Sequence, residues 1–321
     1  MKRFTKICLI IAMILGIVSI GCFIIGGILG ADLINTFEAA FDPEDYSIDF
    51  DKEYDMEEFT LKKQFEADEI QSLSIDMDFG TVVIRTVSSD ACRVLVAEGS
   101  YADTLTVSSS DSGLLKIEET VLHKHFGFSF SIFGLSSFLK HGNLQYIGTR
   151  IIVELPEKTY HRIEGTIDFG AMKFYDLDSE QMNLEVDAGV IYSEGTLKGD
   201  NIEVRIGMGN ASIDTLECEK SFLSADIGKL DIKSVTAKTL ELDANMGNID
   251  LNRAKAETLT ADCDMGNITM GLVGKPEEYD ISYDVDMGNV DIEDYDRSKG
   301  NASYKVDLNC DMGDIDVTFL R

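Results

Sequence analysis

The stretch Asp243-Ala244-Asn245-Met246-Gly247-Asn248-Ile249-Asp250 contains the pattern that decides the fold. Apolar and polar residues alternate up to the glycine, which predicts a β-strand with one buried face. The alternation resumes at Ile249 with its phase changed. A straight strand cannot keep both sets of apolar side chains on one face. We therefore predict a bend at Gly247, since glycine tolerates the backbone angles that a bend or bulge requires.

The same phrase occurs nine times along the chain, each copy centred on a glycine. We interpret these nine residues as structural corners: Gly80, Gly170, Gly189, Gly209, Gly228, Gly247, Gly266, Gly288 and Gly313. From Gly170 onward they are 19, 20, 19, 19, 19, 22 and 25 residues apart. A nearly fixed period is typical of repeat architectures, in which stacked units bury the apolar face that one unit alone leaves exposed.

Counting from each glycine, positions −7, −5, −3, −1, +2 and +4 are mostly apolar, and we predict that all six point inward. Met246, Met265 and Met287 in the −1 column would then stack inside the body, with strands about 4.8 Å apart. The predicted fold class is all-β, a single-stranded, β-helix-like β-solenoid with coils of roughly 19 residues, preceded by one N-terminal transmembrane α-helix. An antiparallel sandwich with regularly spaced hairpins is the alternative.

Residues 7–29 form an uncharged apolar segment of 23 residues, long enough to cross a hydrocarbon layer of about 30 Å. Lys2, Arg3 and Lys6 precede it, so the positive-inside rule places the N-terminus in the cytoplasm. The run continues past Cys22, which argues against a lipoprotein cleavage site there. We expect a single-pass protein of the cell membrane, with residues 1–30 as basic tip and helix and the C-terminal domain extracellular.

Residues 31–69 are acidic and have little apolar periodicity, so we interpret them as a stalk, and residues 70–321 as the repeat domain. Beyond residue 30 the chain has 25 basic and 58 acidic residues, a net charge of −33. Such a surface disfavours nucleic acid and anionic lipid as partners. It favours cations, cationic polymers or basic proteins, or it serves solubility alone.

Residues 121–148 interrupt the repeats with a segment rich in phenylalanine and histidine. It is interpreted in three ways: a hairpin or lid over the open end of the stack, an exposed aromatic patch that contacts a partner or the membrane, or a metal site formed by His123, His125 and His141. The six cysteines include no CxxC spacing, so neither a disulfide framework nor a thiolate metal site is expected.

Position −2 is an aspartate in seven of the nine repeats: Asp78, Asp168, Asp187, Asp226, Asp264, Asp286 and Asp311. Stacked carboxylates repel, so something must compensate. One explanation is that each accepts backbone hydrogen bonds at its corner, as in an Asx turn. The other is a row of calcium sites, for which Asp264, Asp286 and Asp311 are the candidate ligands. Asparagines at +1 (Asn210, Asn248, Asn267 and Asn289) are candidates for an amide ladder.

Catalytic signatures are sparse. All four histidines precede residue 162, and neither a nucleophile elbow nor a metalloprotease motif occurs. Paired carboxylates could hydrolyse glycosides, so a carbohydrate-active enzyme is the minor alternative. We assign no catalytic or cofactor-binding residue, and calcium is the one cofactor considered.

The repeats around Gly247 and in Asp286-Met287-Gly288-Asn289-Val290-Asp291, together with Ile151-Ile152-Val153-Glu154-Leu155-Pro156, resemble an uncharacterised bacterial β-strand-repeat family that is labelled "putative adhesin". The resemblance covers roughly residues 70–321. It implies a β-solenoid on the surface of Gram-positive bacteria, commonly behind one membrane helix, with no catalytic residues. Related chains are also associated with envelope-stress signalling.

The leading functional hypothesis is a membrane-anchored, non-catalytic adhesion or interaction module of the cell envelope. It would contact the membrane through residues 7–29 and bind an envelope protein or polymer that the sequence does not identify. The alternative is an accessory or sensor protein that relays an envelope-stress signal through the membrane segment.

Overall fold

The computed structural model describes residues 59–97, 104–119, 148–295 and 302–320, and the fold is described for these ranges. Its strands are β1 (Phe59–Glu66), β2 (Ser72–Val87), β3 (Ala91–Ala97), β4 (Leu105–Ser109), β5 (Leu114–Glu119), β6 (Thr149–Pro156), β7 (Tyr160–Met265), β8 (Ile268–Val273), β9 (Tyr279–Met287), β10 (Val290–Ile292), β11 (Tyr304–Met312) and β12 (Ile315–Leu320). Two short 3₁₀ helices lie at Ala67–Glu69 and Pro276–Glu278. The all-β prediction is confirmed.

The predicted transmembrane segment 7–29 and nearly all of the 121–148 insertion lie outside the described residues. Within the described ranges, no helix is both long enough and apolar enough to cross a membrane. The predictions made for those two segments therefore stay predictions.

Each repeat forms one coil with two halves that meet at the glycine. In β2 the half before Gly80 pairs in parallel with residues 162–169, and the half that follows pairs in parallel with residues 170–175. The pairing is in register, so Gly80 lies beside Gly170. Strand β7 is a continuous run of 106 extended residues that contains several such coils. Parallel, in-register pairing is what stacked coils require, whereas the sandwich alternative requires antiparallel pairs.

The core lies between the two halves of the coils. In the coil centred on Gly247, the buried side chains before the corner are Leu240, Leu242 and Ala244, and those after it are Ile249 and Leu251. These are positions −7, −5, −3, +2 and +4, all predicted to point inward. The burial recurs from coil to coil because each repeat presents equivalent apolar residues to the same interior.

The −1 position was predicted wrongly. Met246 is 42% exposed, Met265 41% and Met287 62%, so this column lies on the surface. The inward alternation ends at −3 and resumes at +2, and the four residues between them form the outer side of the bend. Met265 and Met287 do lie in the stack as expected, since both are in register with Met312, but outside the core.

The folded body begins earlier than the expected boundary near Ile70. Strand β1 starts at Phe59, inside the segment interpreted as a stalk, and pairs antiparallel with β3, which pairs antiparallel with β6. Phe59 and Phe65 are buried, which explains why this end of the segment belongs to the sheet. Strand β6 is parallel to the second half of β2, so the antiparallel strands close one end of the parallel stack.

At the other end, the coils do not follow chain order. Strand β11 lies between β7 and β9, and β12 lies between β8 and β10. The coil that comes last in the sequence, centred on Gly313, is therefore stacked between the coils centred on Gly266 and Gly288. Backbone hydrogen bonds of 2.9 Å from Gly266 N–H to the Met312 carbonyl and from Gly313 N–H to the Met287 carbonyl fix this order. The longer spacings of 22 and 25 residues supply the connections that the rearrangement needs.

Candidate functional site

The corner of each coil is built around its glycine. All nine glycines singled out in the sequence have positive φ angles, between 136° and 158°. A Cβ atom placed on Gly247 would lie 1.5 Å from the carbonyl oxygen of Gly228 in the neighbouring coil. The glycines therefore permit both the turn and the close approach of successive coils.

Side chains at +1 tie neighbouring corners together. The Asn248 side-chain oxygen accepts a hydrogen bond of 2.9 Å from Asn267 N–H, and the Asn267 oxygen accepts one of 2.9 Å from Asp314 N–H. Asp314 in turn accepts a bond of 2.7 Å from Asn289 N–H. The +1 ladder thus exists, but it runs from side chain to backbone. Asp314 also occupies position +1 but was not predicted as a member, because only the asparagines at that position were considered.

The −1 side chains form an apolar column at the surface, which we call the corner ladder; Phe79, Ala188 and Ile227 are half-buried and the other members are exposed. In spatial order its members are Phe79, Phe169, Ala188, Met208, Ile227, Met246, Met265, Met312 and Met287. The rings of Phe79 and Phe169 stack with centroids 5.6 Å apart. An apolar stripe that runs along a stack of coils is unusual for a surface, and contiguous stripes of this kind mark interaction sites.

Carboxylates at −2 run beside the corner ladder. Asp264, Asp311 and Asp286 are exposed, and register places Asp311 between the other two. Among the described residues, no hydrogen bond or ion pair engages these three carboxylates, so the Asx-turn interpretation does not describe them. Nor does any group of three or more histidine, cysteine or acidic side chains in those ranges have the arrangement to hold a metal ion.

The calcium hypothesis is tested by thermal unfolding of the full-length protein. We expect millimolar calcium and magnesium to raise the melting temperature equally, because either cation screens the repulsion among surface carboxylates. A rise that is specific to calcium, and that is lost in Asp264→Asn, would instead establish a bound ion.

Two aspartates on the surface of the coils have raised pKa values, to which neighbouring negative charges contribute. The pKa of Asp243 is raised, first by partial burial and then by the negative charges of Asp262, Asp264 and Asp226. The pKa of Asp168 is raised by burial and by neighbouring aspartates in the same way. The stack therefore concentrates negative charge beyond what its ion pairs offset.

Asp243→Asn is expected to raise the free energy of unfolding at pH 7 by about 0.5 kcal/mol, the scale of one exposed charge interaction. A pKa raised in the folded state means that protonated Asp243 stabilises the fold below its ordinary pKa of 3.8. That contribution is lost as the pH rises through the higher folded pKa. The advantage of the variant should therefore vanish towards pH 4 in denaturant unfolding. The proposed repulsion at Asp243 would be contradicted if the variant raised the free energy of unfolding equally at pH 7 and pH 4. It would also be contradicted if Asp200→Asn raised that free energy by the same amount.

Two buried charges escaped the sequence analysis. Lys173 is 2% exposed, and its Nζ lies 2.8 Å from Glu194 and 4.5 Å from the ring centre of Tyr175. Glu154 is also buried and pairs with Arg85 at 2.6 Å. Both stand where alternation alone predicts an outward side chain. Glu194 lies in the coil after that of Lys173, and Arg85 lies opposite Glu154 on the paired strand β2, so periodicity within one repeat carries no signal for these ion pairs.

In the described ranges, two cysteines are buried next to each other and one histidine forms an ion pair at the surface. Cys263 and Cys310 are buried neighbours, and burial raises the pKa of Cys263 to about 12, which keeps it protonated. His161 is exposed, with its Nδ1 3.2 Å from Glu180. His123, His125 and His141 lie outside the described residues.

The family profile described as "Toastrack DUF4097" matches residues 70–318 of this chain. No protein with a curated description matches the chain.

Solved bacterial structures resemble the fold at low sequence identity. A protein titled "putative adhesin" from Parabacteroides distasonis is 13% identical, with a TM-score of 0.50, and the match covers 80% of this chain and 96% of that one. A "putative adhesin" from Parabacteroides merdae is 12% identical, with a TM-score of 0.49 and coverage of 82% and 97%. A "putative lipid binding protein" from Parabacteroides distasonis is 13% identical, with a TM-score of 0.49 and coverage of 82% and 97%.

Proposed function

This chain belongs to the Toastrack DUF4097 family, and we propose that it is a non-catalytic interaction module of the bacterial cell envelope. In this proposal residues 7–29 anchor it in the cell membrane, and the stack of coils is presented outside the cell. The module would bind an envelope protein or polymer and would need neither a metal nor an organic cofactor.

The observation that carries the proposal is the corner ladder with its bordering carboxylates. Five of its side chains are large, apolar and at least 41% exposed beyond the first coils: Met208, Met246, Met265, Met287 and Met312. Exposed apolar surface costs free energy in water, and a contiguous stripe is therefore typical of a contact surface. The repeated coil gives that stripe a rigid support.

Membrane anchoring is supported by the sequence alone. The apolar length of residues 7–29 and the three basic residues before it favour an N-terminus in the cytoplasm. Treating intact cells with an external protease tests this orientation. The domain should be cleaved without lysis, and protection until lysis would contradict the proposed placement.

The interaction role is tested by cross-linking the full-length protein in native cells and identifying what it captures. A matched variant replaces residues 7–29 with an unrelated apolar helix of the same length. We expect the same envelope components to be captured by both proteins, because the proposed contact lies in the stack of coils.

Loss of the captured components in the helix-swapped variant, while the protein remains in the membrane, would favour the sensor or accessory alternative. An absence of any reproducible envelope component with either protein would overturn the proposed function.

A further inference from the structure

The end of the corner ladder that lies in the last coils consists of methionine alone. Its last four members are all methionines: Met246, Met265, Met312 and Met287. Methionine side chains are flexible and polarizable, and they adapt to apolar partners of different shape. The opposite end begins with two phenylalanines that stack on one another. The methionine end is therefore the part of the ladder best suited to accept side chains from another molecule.

Negative charge borders these methionines on both sides. Asp264, Asp311 and Asp286 at −2 follow one side, and Asp316 and Asp291 at +3 follow the other, all exposed. Residues 240–321 contain 19 acidic and 7 basic residues. At the start of this region, Lys229 of the preceding coil lies 2.6 Å from Asp250 in the coil of Met246 and offsets its charge. Among the described residues, no ion pair engages the five aspartates just named. The aspartates that lack a basic partner in these ranges thus lie beside the flexible methionine side chains.

We propose that this acidic methionine corner, defined by Met246, Met265, Met312 and Met287 with their bordering aspartates, binds a cationic amphipathic helix of a partner protein or peptide. Apolar side chains of the helix lie along the methionines, and lysine or arginine side chains on both flanks meet the aspartates. This inference rests on the proposed interaction function and names the chemistry of the partner.

The dimensions match such an occupant. Four coils are separated by three strand spacings, or about 14 Å. A helix rises 1.5 Å per residue, so about 10 residues would cover the four methionines. Apolar positions spaced three and four residues apart form one stripe on such a helix, and basic residues between them flank the stripe.

Electrostatic repulsion opposes two other binding partners, a second copy of this chain and an anionic membrane. A second copy of this chain would bring its own aspartates against those of the first, and like charges oppose that contact. The anionic surface of a membrane would be repelled in the same way. A cationic segment gains electrostatic attraction and apolar contact together.

The probe is a dye-labelled peptide of 14 residues, with leucine at positions spaced three and four apart and lysine elsewhere. Its binding to the full-length protein in nanodiscs of zwitterionic lipid is followed by fluorescence anisotropy, with empty nanodiscs as the blank. The comparison peptide has glutamate in place of every lysine. We expect saturable binding of the lysine peptide that weakens with salt, and no binding of the glutamate peptide.

Two variants test the corner itself. The triple change Asp264→Asn, Asp311→Asn and Asp286→Asn should weaken binding about tenfold, since three exposed charge pairs are removed. Met265→Gln with Met312→Gln should weaken it by about tenfold through lost apolar contact. The matched control is Asp200→Asn, Glu217→Gln and Glu257→Gln, which removes three exposed carboxylates away from the corner. It should change binding less than about twofold.

Equal weakening in the control and corner variants would show general attraction to an acidic protein and would overturn the inference. So would binding of the glutamate peptide, or binding of the lysine peptide to empty nanodiscs that equals its binding to the protein. In the cross-linking experiment, envelope partners that the corner variants still capture would also overturn it, while leaving the proposed interaction function intact.

Discussion

Gly247→Ala is expected to lower the free energy of unfolding by about 4 kcal/mol, the sum of backbone strain and overpacking. Gly247 has a φ angle of 155°, which an alanine adopts only with strain. The added methyl group would lie 1.5 Å from the Gly228 carbonyl oxygen. That oxygen belongs to the backbone of a paired coil, so it cannot move without disturbing the stack. Denaturant unfolding followed by circular dichroism measures the change.

Gly165→Ala is the matched control, because Gly165 also lies inside the stack but has no strained φ angle. A methyl group there would meet the flexible end of the Met172 side chain at 3.0 Å. We expect a loss of about 1 kcal/mol or less, since that side chain can rearrange. A loss in Gly247→Ala as small as in the control would contradict the close packing of successive corners.

Leu242→Ala is expected to cost about 3 kcal/mol, whereas Met246→Ala should cost about 0.5 kcal/mol or less. Leu242 is 1% exposed, so its truncation leaves a cavity between the two halves of the coil. Met246 is 42% exposed and loses little on truncation. Both residues were predicted from the sequence to point inward, so their comparison tests the corrected position of the −1 column. The same unfolding measurement applies.

Similar losses for both substitutions would place Met246 in the core after all and would remove the corner ladder from the surface. Met208→Ala repeats the comparison in another coil, because Met208 occupies the same position and is also exposed. Agreement between the two methionine variants would establish that exposure is a property of the column.

The sequence pattern predicted most of the architecture because each repeat carries it in full. Alternation around Gly247 identified the strand, the bend and the inward positions such as Leu242 and Ile249. The recurrence of that phrase indicated stacking, since no single repeat can bury its own apolar face. These inferences depend on local properties: side-chain polarity, the period of two, and the conformational freedom of glycine.

The candidate site was harder to predict. The sequence identified the aspartates at −2 and the asparagines at +1, but it placed the methionines at −1 in the interior. Hydrophobicity alone does not say where an alternating pattern stops at a bend. Met246 continues the alternation in sequence, yet the backbone has already turned, so its side chain points outward.

Sequence by itself therefore determined the strands, the corners and the repeated core, because those follow from residues close together in the chain. The tertiary structure alone decided the order of the last coils, the partners of Lys173 and Glu154, and the exposure of the methionine column. Each of these depends on which backbone lies beside which. The arrangement is decided by pairing and packing between residues that are distant in sequence. The free energies of those contacts cannot be inferred from the residues of one repeat alone.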